Sequence, residues 1–432
     1  MISTHEMINA KSSVLKPILS RILFAILLLT VWIIPQHSGA QSAEQQALHN
    51  YIQMALENNR GIQARSAESE GALLEADQVG SLPDLDLQFE YMAYDRNSMP
   101  DGTTFRLEAM QMFPWFGSLS TNRKAANQQA SAVQLEQTLS ESELVREIKE
   151  LWYMMHEMDH HTGIFRENLE LLTSIEQQIL ARLEGGSGSQ VESLRIQIEK
   201  EELQNRIVKR DEEVVTMKVR FNKLLNRRAD FPIGLFPNIA DRPLPNVIAD
   251  SAKTSNPAIQ SLDMTARASQ TAIEQARNSG KPSFGLGFIA GHQNPGFVNP
   301  DAFNSFEVML RVQLPIYRNK YRAQEQQARH QYRAVQEQRS EMENRLEADL
   351  ADAIRQFQNA ERDMNLYLEQ LIPTTKQALE VSLSNYGSGS AGFEEVIQLQ
   401  RQILGYELEA AEAQTRRNVA IVNIEYLIGA TQ

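Results

Sequence analysis

The sequence predicts a mainly α protein with a small β part, in which long coiled-coil helices carry four strands per chain. Three observations predict it. The first is the stretch 117–183, which lacks proline and places core-type residues at Leu144, Ile148, Leu151, Met155, Met158, Thr162, Phe165, Leu169 and Leu172. Those steps alternate four and three, a heptad seam. As one helix the stretch spans about 100 Å, several times the length usual in a compact domain. Only other long helices beside it can bury such a seam. The second observation is four alternating stretches, each of about 9–11 residues, the length that crosses a bilayer when tilted. The third is that the whole plan occurs twice, at a spacing of about 200 residues.

The elements follow in order. Residues 1–40 read as an export signal: Lys11, Lys16 and Arg21 precede an apolar run from Ile22 to Ile34, and Ser38-Gly39-Ala40 is a small-residue cleavage site. That run is short of the roughly 20 residues of a spanning helix. Ala43 to Val79 reads as helix, ended by Ser81-Leu82-Pro83. Asp84 to Tyr94 is a strand with Leu85, Leu87, Phe89 and Tyr91 on one face and Asp84, Asp86, Gln88 and Glu90 on the other. After a turn, Thr103 to Met112 is its partner, and Phe113-Pro114-Trp115-Phe116-Gly117 leads into the long helix. Gly185-Gly186-Ser187-Gly188 stops that helix, and Gln190 to Asn226 returns.

The second unit repeats the plan. Ser251 to Ser279 is helical, Ser283 to Gly291 and Phe303 to Leu314 are strands, and Leu314-Pro315-Ile316 stands where Phe113-Pro114-Trp115 stood. A long helix then runs from Tyr317 to Tyr386, bent near Pro373. Gly387-Ser388-Gly389 turns the chain, and Phe393 to Ile428 returns. The division is therefore 1–40 signal peptide, 41–250 first structural repeat and 251–432 second repeat.

Composition narrows the function. The 432 residues include no cysteine, which excludes disulfides, thiol chemistry and cysteine-bound metal. The formal charge is −13, and removing residues 1–40, with three Lys/Arg and one Glu, leaves −15. That disfavours nucleic acid and suits a surface or channel that attracts cations. Four strands cannot close a barrel, and lipid tolerates no open sheet edge. Three chains supply twelve strands, enough to enclose water. The alternative is a soluble antiparallel sheet with one wet face.

His156-Glu157-Met158-Asp159-His160 satisfies H-E-x-x-H, the zinc-hydrolase pattern of two histidines one helical turn apart with a glutamate to activate water. The seam passes through Met155, Met158 and Thr162, which places His156 and His160 off it, on a solvated helix face. A weak, non-catalytic metal contact at His156 and His160 is the other reading. No catalytic constellation and no cofactor site is expected.

Taken together, the doubled plan resembles the TolC family of outer-membrane efflux proteins over essentially the whole mature length. The likeness rests on Pro83 and Pro282 before the hairpins, the Phe-Pro-Trp-Phe-Gly and Leu-Pro-Ile segments before the long helices, and Tyr386-x-x-Gly389 followed by Glu395-Val396-Ile397. The Phe-Pro-Trp-Phe-Gly wording is most similar to the heavy-metal cation-efflux branch. The resemblance implies a homotrimer with a 12-strand β-barrel in outer-membrane lipid and a 12-helix periplasmic tube. It implies a passive conduit, no enzyme, working with a periplasmic adaptor (membrane fusion) protein and an inner-membrane pump of RND type. Gly186, Ser187, Gly188, Gly387, Ser388 and Gly389 become the tips that meet the adaptor. Glu192 and Glu395, each six residues past a turn glycine, become carboxylate rings at the periplasmic mouth. A second family acid, three positions after Glu395, is Gln398 here. The alternatives of other classes are a zinc-dependent hydrolase using His156-Glu157-x-x-His160 and a soluble periplasmic coiled-coil scaffold.

Overall fold

The computed structural model describes residues 38–92, 104–186, 188–234, 242–245, 249–293 and 303–430. Most of the expected export signal, the hairpin segment after Met92, much of the loop after Gln293, and Ser187 lie outside the described residues. Within them the chain runs α1 (Ser38–Asn58), α2 (Arg60–Val79), β1 (Asp86–Met92), β2 (Thr104–Phe113), α3 (Ser118–Glu184) and α4 (Gln190–Leu224). The same order then recurs as α5 (Ala249–Ser255), α6 (Pro257–Ser279), β3 (Ser283–Gln293), β4 (Phe303–Gln313), α7 (Arg318–Asn365), a π segment (Leu366–Leu371), α8 (Ile372–Ser388) and α9 (Phe393–Leu427).

Each leading helix is broken where the sequence predicts continuity. Asn59 and Asn256 sit in extended backbone at the breaks and cap the helices that follow. The Asn59 side chain accepts from the Gly61 N–H at 2.8 Å, and Asn256 from that of Ala258 at 2.9 Å. Their Nδ2 groups donate to the last carbonyls of the two return helices, Leu224 at 2.9 Å and Leu427 at 3.0 Å. One asparagine in each half thus satisfies a helix start and a helix end at once.

The α3 helix is 67 residues long, as the seam requires. It packs on α2, α4, α6 and α9 rather than on one partner. Its buried stripe is therefore wider than a two-helix seam. Leu144, Ile148, Met155, Thr162, Phe165 and Leu172 are buried, and so are Trp152, Tyr153, His156 and His161 beside them. The core is drawn out along the helices. One cluster joins Phe165, Leu172 and Ile179 to Ile196, Val396 and Ile403. Another joins Ile148, Trp152 and Met155 to Leu48, Ile52 and Phe221. A third joins Ile259 to Leu350, Phe357 and Ile421. Pro373 is accommodated by the π turn before it, where the Ile372 N–H donates to the Tyr367 carbonyl, five residues back.

The four strands form one antiparallel sheet in the order β1-β2-β3-β4, so β2 and β3 join the two halves of the chain. The register places Leu87, Ala109, Phe288 and Val308 in one row and Asp86, Met110, Gly287 and Met309 in the next. Alternate rows face opposite ways.

Candidate functional site

The sheet has two unlike faces. Leu87, Phe89, Tyr91, Phe288, Phe306, Val308 and Leu310 are all exposed on one side, Leu310 at 78 %. The other side carries Glu90, Arg106, Glu108, Glu307 and Arg311, with an ion pair from Arg311 to Glu108 at 3.6 Å. On that polar side Met110 is 1 % exposed because it lies over Gly285 and Gly287. A Cβ on Gly287 would stand 2.5 Å from the Met110 Cε. A contiguous apolar face of this kind, on a sheet whose two outer strands each lack one neighbour among the described residues, suits contact with lipid and closure by further copies. Among the described residues no helix is long and apolar enough to cross a membrane.

The far ends of the long helices carry the glycine turns. Gly186 has φ +76° and Gly389 φ +82°, left-handed values that a side chain resists. At Gly188 a Cβ would meet the Leu183 N at 2.5 Å, so the turn is also tight. Gly387 and Ser388 form the last turn of α8, and Ser388 Oγ donates to the Asn385 carbonyl at 3.0 Å. Glu192 and Glu395 both occupy the third position of a return helix. A carboxylate there is favoured by the helix dipole, an ordinary reason for both.

Their surroundings differ. Glu192 is half-buried and accepts a hydrogen bond from the Tyr386 hydroxyl at 2.8 Å, which ties the two halves of the chain together. Burial, with that hydrogen bond second, raises the Tyr386 phenol to about 12. The Arg182 guanidinium lies 4.3 Å from the Tyr386 ring centroid and donates to its carbonyl. Glu395 is exposed, while its neighbour Glu394 pairs with Arg195 across from α4. Sequence reasoning quoted Tyr386 only as part of a turn signature and passed over Arg182 entirely.

The two histidines of H-E-x-x-H lie one turn apart on α3 but in unlike surroundings. His156 is 4 % exposed and packs edge-on against Trp152, with ring centroids 4.8 Å apart. The expected solvated position of His156 is thus corrected: α3 has neighbours on more than one side, and the face next to the seam is covered. His160 is exposed. Neither histidine belongs to a group of three potential ligands among the described residues. Instead Glu157, His161 and Glu412 come together, with one donor atom from each lying within 4.8 Å of the others. Glu157 and His161 are one turn apart on α3, and Glu412 faces them from α9. His161 is fully buried and neither ring nitrogen makes a well-formed hydrogen bond. Burial, and after it the Arg210 guanidinium, lowers its pKa to about 4. Burial raises the Glu157 carboxyl, against a hydrogen bond from Thr415. The signal for His161 was present as Glu-x-x-x-His, but the eye-catching motif one residue away obscured it.

The described residues form a four-stranded antiparallel sheet, apolar on one face, joined to long packed helices. Residues 248–430 match the family described as Outer membrane efflux protein. None of the curated proteins matches the chain by sequence. Among solved structures, the channel CusC aligns with a TM-score of 0.79 at 16 % identity, over 89 % of this chain and 92 % of CusC. The outer-membrane channel OprN gives 0.77 at 15 % identity, over 89 % of this chain and 90 % of its own. The outer membrane protein VceC of Vibrio cholerae gives 0.76 at 16 % identity, over 90 % of this chain and 98 % of VceC. Identities of this size establish the fold. Residues 248–430 thus carry the pattern of outer-membrane efflux proteins, and the chain as a whole shares the fold of these channels. The family matched by 248–430 is one of efflux proteins, and the neighbours in fold are described as channels, not hydrolases.

Proposed function

We propose that the protein is the outer-membrane conduit of a tripartite efflux system and works as a homotrimer. The observation that carries this is the sheet: one continuous apolar face, one charged face, and two strand edges left unpaired among the described residues. Three copies bring twelve strands and satisfy every edge. Residues 1–40 are the export signal, and 41–250 and 251–432 are two structural repeats that stand as neighbouring staves of the wall.

The shaft ends are the docking points for a periplasmic adaptor, itself joined to an inner-membrane RND-type pump. Gly186, Ser187, Gly188, Gly387, Ser388 and Gly389 form the tips it meets. The cargo class is a heavy-metal cation. The Phe113-Pro114-Trp115-Phe116-Gly117 segment, the mature charge of −15 and the exposed Glu395 support that reading.

Glu395 and Glu192 give the mouth its cation preference in this scheme, with Glu395 the stronger contributor because Glu192 is already held by Tyr386. A ring of three carboxylates in a narrow aqueous constriction concentrates the field. Replacing both glutamates by glutamine is expected to lower cation selectivity in single-channel recordings and leave assembly intact. The effect should fade at high salt, where the Debye length falls to about 3 Å. Unchanged reversal potentials at low salt, in a correctly assembled double variant, would remove both residues from the mouth.

A further inference from the structure

We propose that Glu157, His161 and Glu412 form a binding site for one divalent transition-metal cation of the zinc type, bridging α3 and α9. The geometry is that of a site short of its ion. One nitrogen and two carboxylate oxygens can converge from positions already within 4.8 Å of one another. An imidazole with two carboxylates is a donor set that zinc accepts, leaving a coordination position for water. His161 supplies the independent observation. It is completely buried and neither ring nitrogen has a partner of good geometry, the Leu408 backbone on α9 acting on the ring only weakly. A buried polar group left so is costly unless something completes it.

Charge around the site is consistent with a guest cation. Glu157 and Glu412 repel one another, which contributes to the raised pKa of Glu157. Arg416 reaches Glu412 at 3.6 Å, and Arg210 acts on both Glu157 and His161 from α4. Both arginines have other carboxylates to turn to, Asp363 for Arg416 and Glu213 for Arg210. An entering dication would displace them from the centre and hold α3 to α9. The ligands come from packed helices rather than from the glycine turns, so the site is independent of which substrate the channel passes.

The test uses the full mature protein in detergent, stripped with chelator and dialysed against zinc alone. Wild type is expected to retain one zinc per chain more than Glu412→Gln. In Glu412→Gln and His161→Ala, affinity at this site should fall at least ~10-fold. His160→Ala, exposed and outside the cluster, should bind as wild type does. X-ray absorption of zinc-loaded wild type needs no variant to fold; it should report one imidazole nitrogen at about 2.0 Å among oxygen ligands. Zinc retained equally by an assembled Glu412→Gln, an all-oxygen shell, or no saturable binding at micromolar zinc would overturn the proposal.

Discussion

Two side chains on α3 illustrate how burial decides what a residue can do. His160 and His161 are adjacent in sequence, yet one is exposed and the other has no solvent contact. The ordinary histidine pKa is 6.5, and that of His161 is about 4. The unfolded chain therefore binds a proton between these values that the folded chain refuses. Stability from this group is complete above pH 6.5 and is lost as pH falls toward 4. Arg210 and Glu213 from α4, Glu412 from α9, and Glu157 and His160 on α3 itself all face or flank it. Because Glu157 is shifted upward, its protonation opposes the trend at the acid end. The window is thus cleanest between pH 6.5 and 5. With chelator present, wild type should lose on the order of 2 kcal/mol across it, read as a fall in thermal midpoint. His161→Gln should show a flatter profile, and identical profiles would mean that the folded ring titrates as it does in the unfolded chain.

The elements were largely legible in the sequence, and the departures have local causes. The long helix could be read because a heptad repeat over many turns has no other solution. The strands could be read because alternation and length agree, and the structure pairs them through Leu87, Ala109, Phe288 and Val308. The breaks at Asn59 and Asn256 were missed because an asparagine inside a helical pattern reads as a weak residue rather than a cap. Only the distant carbonyls of Leu224 and Leu427 reveal what each one does. Replacing either asparagine by alanine should cost about 1–2 kcal/mol, from the lost cap and the orphaned carbonyl. Equal thermal midpoints for both alanine variants and wild type would contradict that role. The sheet gives a sharper test of facing. Arginine at Leu286 or Val308 should cost about 2–4 kcal/mol near the membrane midplane and impair assembly. Arginine at Glu307 should be mild. Gly287, which alternation alone marks as a mild control, is not one, because Met110 fills the space above it. Equal loss of membrane-assembled protein at Val308→Arg and Glu307→Arg would contradict the assignment of the faces.

At the scale of the molecule, the sequence revealed the doubled plan but not the side-chain clusters within it. A site built from Glu157, His161 and Glu412 spans more than 250 residues of chain, and no spacing rule foretells it. The tie between Tyr386 and Glu192 is equally non-local. The proposed assembly rests on simpler physics: among the described residues, four strands with two open edges and an apolar face are not a unit that lipid tolerates alone. The central claim is that three chains close the wall. Native mass spectrometry of the mature protein, extracted from outer membranes in mild detergent, tests it most directly. The account predicts a single species at three times the chain mass, with β content intact. A stable monomer that keeps its β content would contradict it.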